Sequence, residues 1–154
     1  IVSISAHRKK ENIMKLYKAA IAILLSIAFS LSIFAHDPKG ESFQLSGKLT
    51  SVELTDEGGV ITVSAEAGRY GKVFLTYNVR LNPALPNQGY FYGRGVGFND
   101  EGNREAGSRQ GVFRREGSIM KFYSLDDVSD GRLNYCETVI NLRTESVDMT
   151  FYPF

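Results

Sequence analysis

A carboxylate, a thiol and a cluster of acidic residues are the groups of this chain with chemistry to offer, and each has an ordinary structural use as well. Glu137 lies in Asn134-Tyr135-Cys136-Glu137, within a run that reads as a strand. In a desolvated cavity it is the candidate general acid/base, because such work needs a carboxyl whose pKa is shifted by its surroundings. Cys136 would need a basic partner to become a nucleophilic thiolate. No histidine is placed to serve, so a buried, unreactive thiol is the favoured reading. Asp126, Asp127 and Asp130 gather beside Gly131, and hard cations take oxygen ligands. The spacing and distal Glu of an EF-hand loop are missing, and Asp with Gly is what a hairpin turn requires. The turn reading prevails, and no metal site is expected.

The remaining inventory excludes more chemistry than it suggests. The chain has 154 residues, one Cys and two His, His7 and His36. A disulfide framework, a Cys-based zinc site and a Ser-His-Asp triad therefore have too few members. His36 would become the first residue after cleavage behind Ala35, where an amine and an imidazole can chelate copper. One imidazole is short of a ligand set, so His36 reads as an incidental terminus and no cofactor is expected. Gly89, Gly93, Gly95 and Gly97 are not a phosphate-binding loop, because no helix-forming segment follows them.

Binding chemistry is better represented. Tyr90, Tyr92, Phe98, Phe113, Phe122, Tyr123 and Tyr135 supply aromatic area, with Arg94, Arg114, Arg115 and Glu137 as polar partners. Tyr90, Tyr92, Arg94, Phe98 and Arg114 are the candidate ligand-binding residues. Their structural alternative is a barrel filled by aromatic side chains with the charges outside, and that reading is favoured, since a small barrel holds one small ligand at most.

The elements that must position these groups are strands. Phe43, Leu45 and Leu49 share one face of a first strand, and Asp56-Glu57-Gly58-Gly59 turns into Val60–Val63. Val73, Leu75, Tyr77, Val79 and Leu81 alternate along a third. Asn82–Asn87 carries two Pro and reads as a loop, since proline removes ladder donors. Segments 89–98, 104–115, 118–125, 133–142 and 146–152 follow, divided by Gly- and Asp-rich turns. Eight short strands with regular turns, and no helical repeat beyond the N-terminal apolar run, predict an all-β antiparallel barrel. The four glycines of 89–97 share parity, so they face one side, and Tyr90, Tyr92, Arg94, Val96 and Phe98 face the other. Within 119–125, Met120 and Phe122 are placed inside, and Lys121 and Tyr123 outside.

Residues 14–35 have the layout of a secretory signal peptide: basic Lys15 and Lys18, then 17 uncharged residues from Ala19 to Ala35. An uncleaved anchor is the alternative, since roughly 17–25 apolar residues span a bilayer. Residues 1–13 read as a mistranslated leader, leaving 36–154 as a single barrel domain in the periplasm or outside the cell. Taking away residues 1–35 removes five basic residues and one acidic residue, which leaves 13 basic and 16 acidic, net −3. A negative domain without a basic run lacks the electrostatic footprint of a nucleic-acid binder.

Residues 89–97 (GYFYGRGVG), 111–117 (GVFRREG) and 120–131 (MKFYSLDDVSDG) together resemble a group of small secreted bacterial proteins without an assigned activity. Their barrel is similar to that of allene oxide cyclases and the wider lipocalin-like barrels. The resemblance spans residues 70–154 and implies architecture alone, because the cyclase active-site constellation has no residue-by-residue counterpart here. Two function classes follow: a non-enzymatic exported module that binds a small apolar or aromatic ligand or a protein partner, and a cyclase- or isomerase-like enzyme with Glu137 in a barrel cavity.

Overall fold

The computed structural model of the protein describes residues 41–154. The expected leader, signal peptide and His36 lie outside the described residues. Eight strands run in chain order: β1 Phe43–Thr55, β2 Gly58–Glu66, β3 Lys72–Asn82, β4 Leu85–Phe98, β5 Arg104–Glu116, β6 Ile119–Val128, β7 Leu133–Asn141 and β8 Ser146–Pro153. A single 3-10 turn, Gly68–Tyr70, links β2 to β3. Each strand pairs antiparallel with its neighbour in sequence, and β1 pairs with β8, Phe43 opposite Phe151, to close the barrel. Closure leaves no free sheet edge to recruit another chain.

The expected loop Asn82–Asn87 is shorter than its two prolines suggest, because β4 begins at Leu85. Pro86 stands ahead of Gln88, the first residue of β4 to pair with β5. It therefore withholds no donor from a continuous ladder.

Side chains alternate between the interior and the outer face. Inward positions hold Ile61, Val63, Leu75, Tyr77, Val79, Phe91, Phe113, Phe122, Ile140, Val147 and Met149, all buried. Among the described residues no helix is long and apolar enough to cross a membrane. Met120 and Phe122 are 2% and 1% exposed, so the register expected for β6 holds, with Lys121 and Tyr123 on the outer side.

The half of the barrel near the turns at 56–57, 83–84, 117–118 and 142–145 is solid. Phe122 is its hub, with ring centroids 4.7 Å from Tyr77, 5.1 Å from Phe91 and 5.5 Å from Phe113. Such pairs add about 0.5–1.5 kcal/mol each beyond the area they bury. The glycine face of β4 points inward: a Cβ built on Gly93 would fall 1.7 Å from the Thr76 carbonyl oxygen, and one on Gly89 1.9 Å from that of Arg80. The neighbouring backbone is too near for a side chain, and this close approach explains glycine at these positions.

Candidate functional site

The other half of the barrel holds a cavity. A cavity of about 90 Å³ opens at the end that carries the 3-10 turn, the β4–β5 turn and the β6–β7 turn. Leu45, Ala67, Val73, Leu75, Val128 and Phe151 form its walls, with Phe43, Tyr70 and Glu105 toward the rim. Arg109, Asp126 and Asn134 form its floor. The packed half has the filled interior expected of a small barrel, and the other half keeps this small cavity.

Register builds the floor. Tyr77, Gly93 and Arg109 stand opposite one another on β3, β4 and β5. Arg109 lies opposite Asp126 on β6, which pairs with Asn134 on β7. With no side chain at Gly93, the Arg109 guanidinium crosses the gap and lies 4.9 Å from the Tyr77 ring centroid. Its Nη1 donates to the Tyr77 hydroxyl at 2.8 Å, and that hydroxyl donates to Thr138 Oγ1 at 3.2 Å. Nη2 lies 3.1 Å from Asp126 Oδ2, while Nε donates to Oδ1 at 3.3 Å. Ser124 Oγ donates to Asp126 Oδ1 at 2.7 Å and accepts from Nη2 at 3.3 Å. Cys136 Sγ accepts from Nη2 at 3.4 Å. The residue left over is Asn134: it is 4% exposed, and its Oδ1 has no hydrogen-bond partner.

The electrostatics follow from burial. Desolvation opposes the Arg109 charge, but the anionic forms that Tyr77, Asp126 and Cys136 take at high pH outweigh it and raise the guanidinium pKa above its usual value. Burial also raises Tyr77, against the pull of Arg109. The Cys136 thiol is pushed up to about 11 by burial, again opposed by Arg109. Tyr77 and Cys136 therefore keep their protons at neutral pH, and the lasting countercharge to Arg109 is Asp126.

The mouth is tied across. Asp130, in the β6–β7 turn, binds Arg69 and accepts a 2.8 Å hydrogen bond from the Tyr70 hydroxyl, both residues belonging to the β2–β3 connection. In a closed ring of eight these two connections face each other. Arg132 Nε adds a third contact to Asp130 at 3.7 Å.

The residues proposed from sequence lie elsewhere. Tyr90, Tyr92, Arg94 and Phe98 occupy the outward positions of β4, opposite in parity to its buried glycines, and are exposed. Arg114 and Arg115 are exposed at the far end of β5. None of them is among the residues around the cavity. Glu137 faces outward on β7, where the Tyr135 hydroxyl donates to its Oε1 at 3.1 Å. Burial, then the Glu137 carboxylate, pushes Tyr135 up to about 12. Tyr90, Tyr92, Tyr123 and Tyr135 do come together, with Val112 and Leu125, along a shallow outer groove. Cys136 is buried as expected, and its cationic neighbour is Arg109.

The acidic cluster disperses. Asp126 points inward to Arg109, Asp127 is exposed, and Asp130 ties the mouth. Among the described residues no group of three metal-binding side chains converges. Asp126 lies just beyond the expected segment 118–125, yet the strand runs on to Val128 and keeps Asp126 in the interior row. The missed signal is parity: Arg109 alternates with Gly107, Gly111 and Phe113, and Asp126 with Phe122 and Ser124.

Comparison with known proteins returns no matching family model, no matching curated protein and no matching solved structure. The antiparallel barrel agrees with the lipocalin-like architecture that the resemblance implies; the cyclase kinship gains no support from these comparisons.

Proposed function

We propose that this barrel is a non-enzymatic binding module that takes a small, mainly apolar molecule into its hollow half. The observation that carries the reading is the cup itself: apolar walls over a buried polar floor, which is how small-molecule sites combine affinity with orientation. The solid half supports it by giving the floor residues a packed base. The signal-peptide layout of residues 14–35 supports placing this binding in the periplasm or outside the cell.

A cyclase- or isomerase-like reaction has less support. Its proposed acid/base, Glu137, faces away from the cup, and the interior carboxylate, Asp126, is held by Arg109 and Ser124. A protein partner is supported by a different surface. Tyr90, Tyr92, Val112 and Leu125 are each more than half exposed around one outer groove, and contiguous apolar area on a protein's outside marks interaction sites.

Native mass spectrometry of protein purified from its host tests the first reading. A bound small molecule should accompany the wild type and be missing from a folded Val73→Phe variant, whose ring fills the cup. Equal retention by both would exclude the cup as the site. Loss of a protein partner from Tyr92→Glu, with the small molecule retained, would assign partner binding to the outer groove.

A further inference from the structure

We infer that the cup selects an uncharged ligand head that donates a hydrogen bond, such as the hydroxyl of a short aliphatic alcohol, and discriminates against a carboxylate on the same tail. The inference rests on the cup being the binding site. A buried arginine beneath apolar walls suggests an anchor for an acid, but its partners say otherwise. All three nitrogens of the Arg109 guanidinium already donate, to Tyr77, Ser124, Cys136 and Asp126, and its charge is matched by Asp126 at 3.1 Å. An incoming carboxylate would shed its hydration to meet Asp126 on the floor and Glu105 toward the rim, two like charges against one guanidinium already engaged. An ammonium would shed its hydration to meet carboxylates that are already engaged, Asp126 by Arg109 and Ser124, and Glu105 by the Ser129 hydroxyl.

What the floor lacks is a donor. Asn134 lines the cup, and its Oδ1 is buried without a partner; an unsatisfied buried acceptor is unfavourable, so a turn of the amide that brings it to a donor in the cup is favoured. A hydroxyl supplies one O–H and carries no charge into the cavity. Volume limits the rest. An apolar cavity of about 150 Å³ accommodates benzene, so 90 Å³ accepts a hydroxyl and a few carbons, with any longer tail leaving through the mouth.

The test is an NMR titration of the full chain, isotope-labelled on nitrogen, with 1-pentanol, pentanoate and pentylamine at neutral pH. The alcohol should shift amides around the cup and bind at least about tenfold more tightly than either charged analogue, the factor expected from one buried hydrogen bond. Asn134→Leu should weaken the alcohol by about the same factor. The wild-type ranking decides the matter even if that variant does not fold. Pentanoate or pentylamine binding as tightly as the alcohol would overturn this selectivity while leaving the cup as the site. Failure of all three to shift cup amides would overturn the cup reading itself.

Discussion

The guanidinium of Arg109 lies over the ring of Tyr77 and donates to that same residue's hydroxyl, across the strand position occupied by Gly93. One side chain thus makes a cation–π contact and a hydrogen bond with a single partner two strands away. The arrangement depends on the missing side chain between them. It places the only buried positive charge among the described residues at the boundary between the solid and hollow halves.

Removing that charge should be costly in one way and not in another. Arg109→Met leaves Asp126 buried and unpaired, and should lose about 3–5 kcal/mol in urea unfolding. Replacing both, with Arg109→Met and Asp126→Leu, should recover most of the loss, since apolar residues of similar volume often replace a buried pair without penalty. A double variant no more stable than Arg109→Met alone would show that the arginine's bonds to Tyr77 and Ser124 matter more than its pairing with Asp126.

Gly93→Ala should be damaging out of proportion to one methyl group. The added Cβ would sit 1.7 Å from the Thr76 carbonyl oxygen, so the β3–β4 pairing must shift. Overpacking of this kind typically costs about 1–3 kcal/mol, and it also separates Arg109 from Tyr77. Thermal melts should rank Gly93→Ala well below an alanine at Gly102, which has positive φ but open space around it.

Phe122→Ala should cost about 3–5 kcal/mol, the usual range for a buried phenylalanine, because three aromatic neighbours lose their shared contact. Tyr123→Ala, one residue on and partly exposed, should cost about 1 kcal/mol or less. Guanidinium unfolding of the two variants compares them directly, and a reversed order would mean the β6 register is wrong by one residue.

Stability should decline on the alkaline side. Unfolded, the Cys136 thiol ionises near its ordinary 9.0; folded, it keeps its proton up to about 11. Between those values the folded state binds more protons, so rising pH favours unfolding, by roughly 2–3 kcal/mol across the window. Tyr77 acts in the same direction above its ordinary 10.0. Below pH 9 both groups are protonated in either state and add no slope. Urea midpoints from pH 8 to 11 should fall, and fall less steeply in Cys136→Ala; a flat profile would contradict the burial-raised thiol.

The strands were legible because alternation and turn chemistry are local. Phe122 could be placed inside since Lys121 on the opposite row needs water. The site was harder to see for a physical reason. Periodicity tells which residues share a face but not which face is interior. For β4 the large aromatics looked like the lining, yet the glycines face in because backbones there approach too closely for a Cβ. Arg109 and Asp126 were hidden for the converse reason. Each looks like an outer-face charge when read alone, and only cross-strand register brings the two together. The hollow half depends on eight strands at once and has no signature in any one segment.

The Asp130 tie has a consequence for time rather than for affinity. It joins opposite connections at the mouth and takes no part in the floor, where a bound molecule would be recognised. Exposed ion pairs contribute little to stability, so Asp130→Asn should leave the fold and the equilibrium constant nearly as they are. Admission and escape share the mouth, and loosening the tie should speed both. For the binding role proposed above, residence time would then be set at the rim, independently of how well the floor fits the guest.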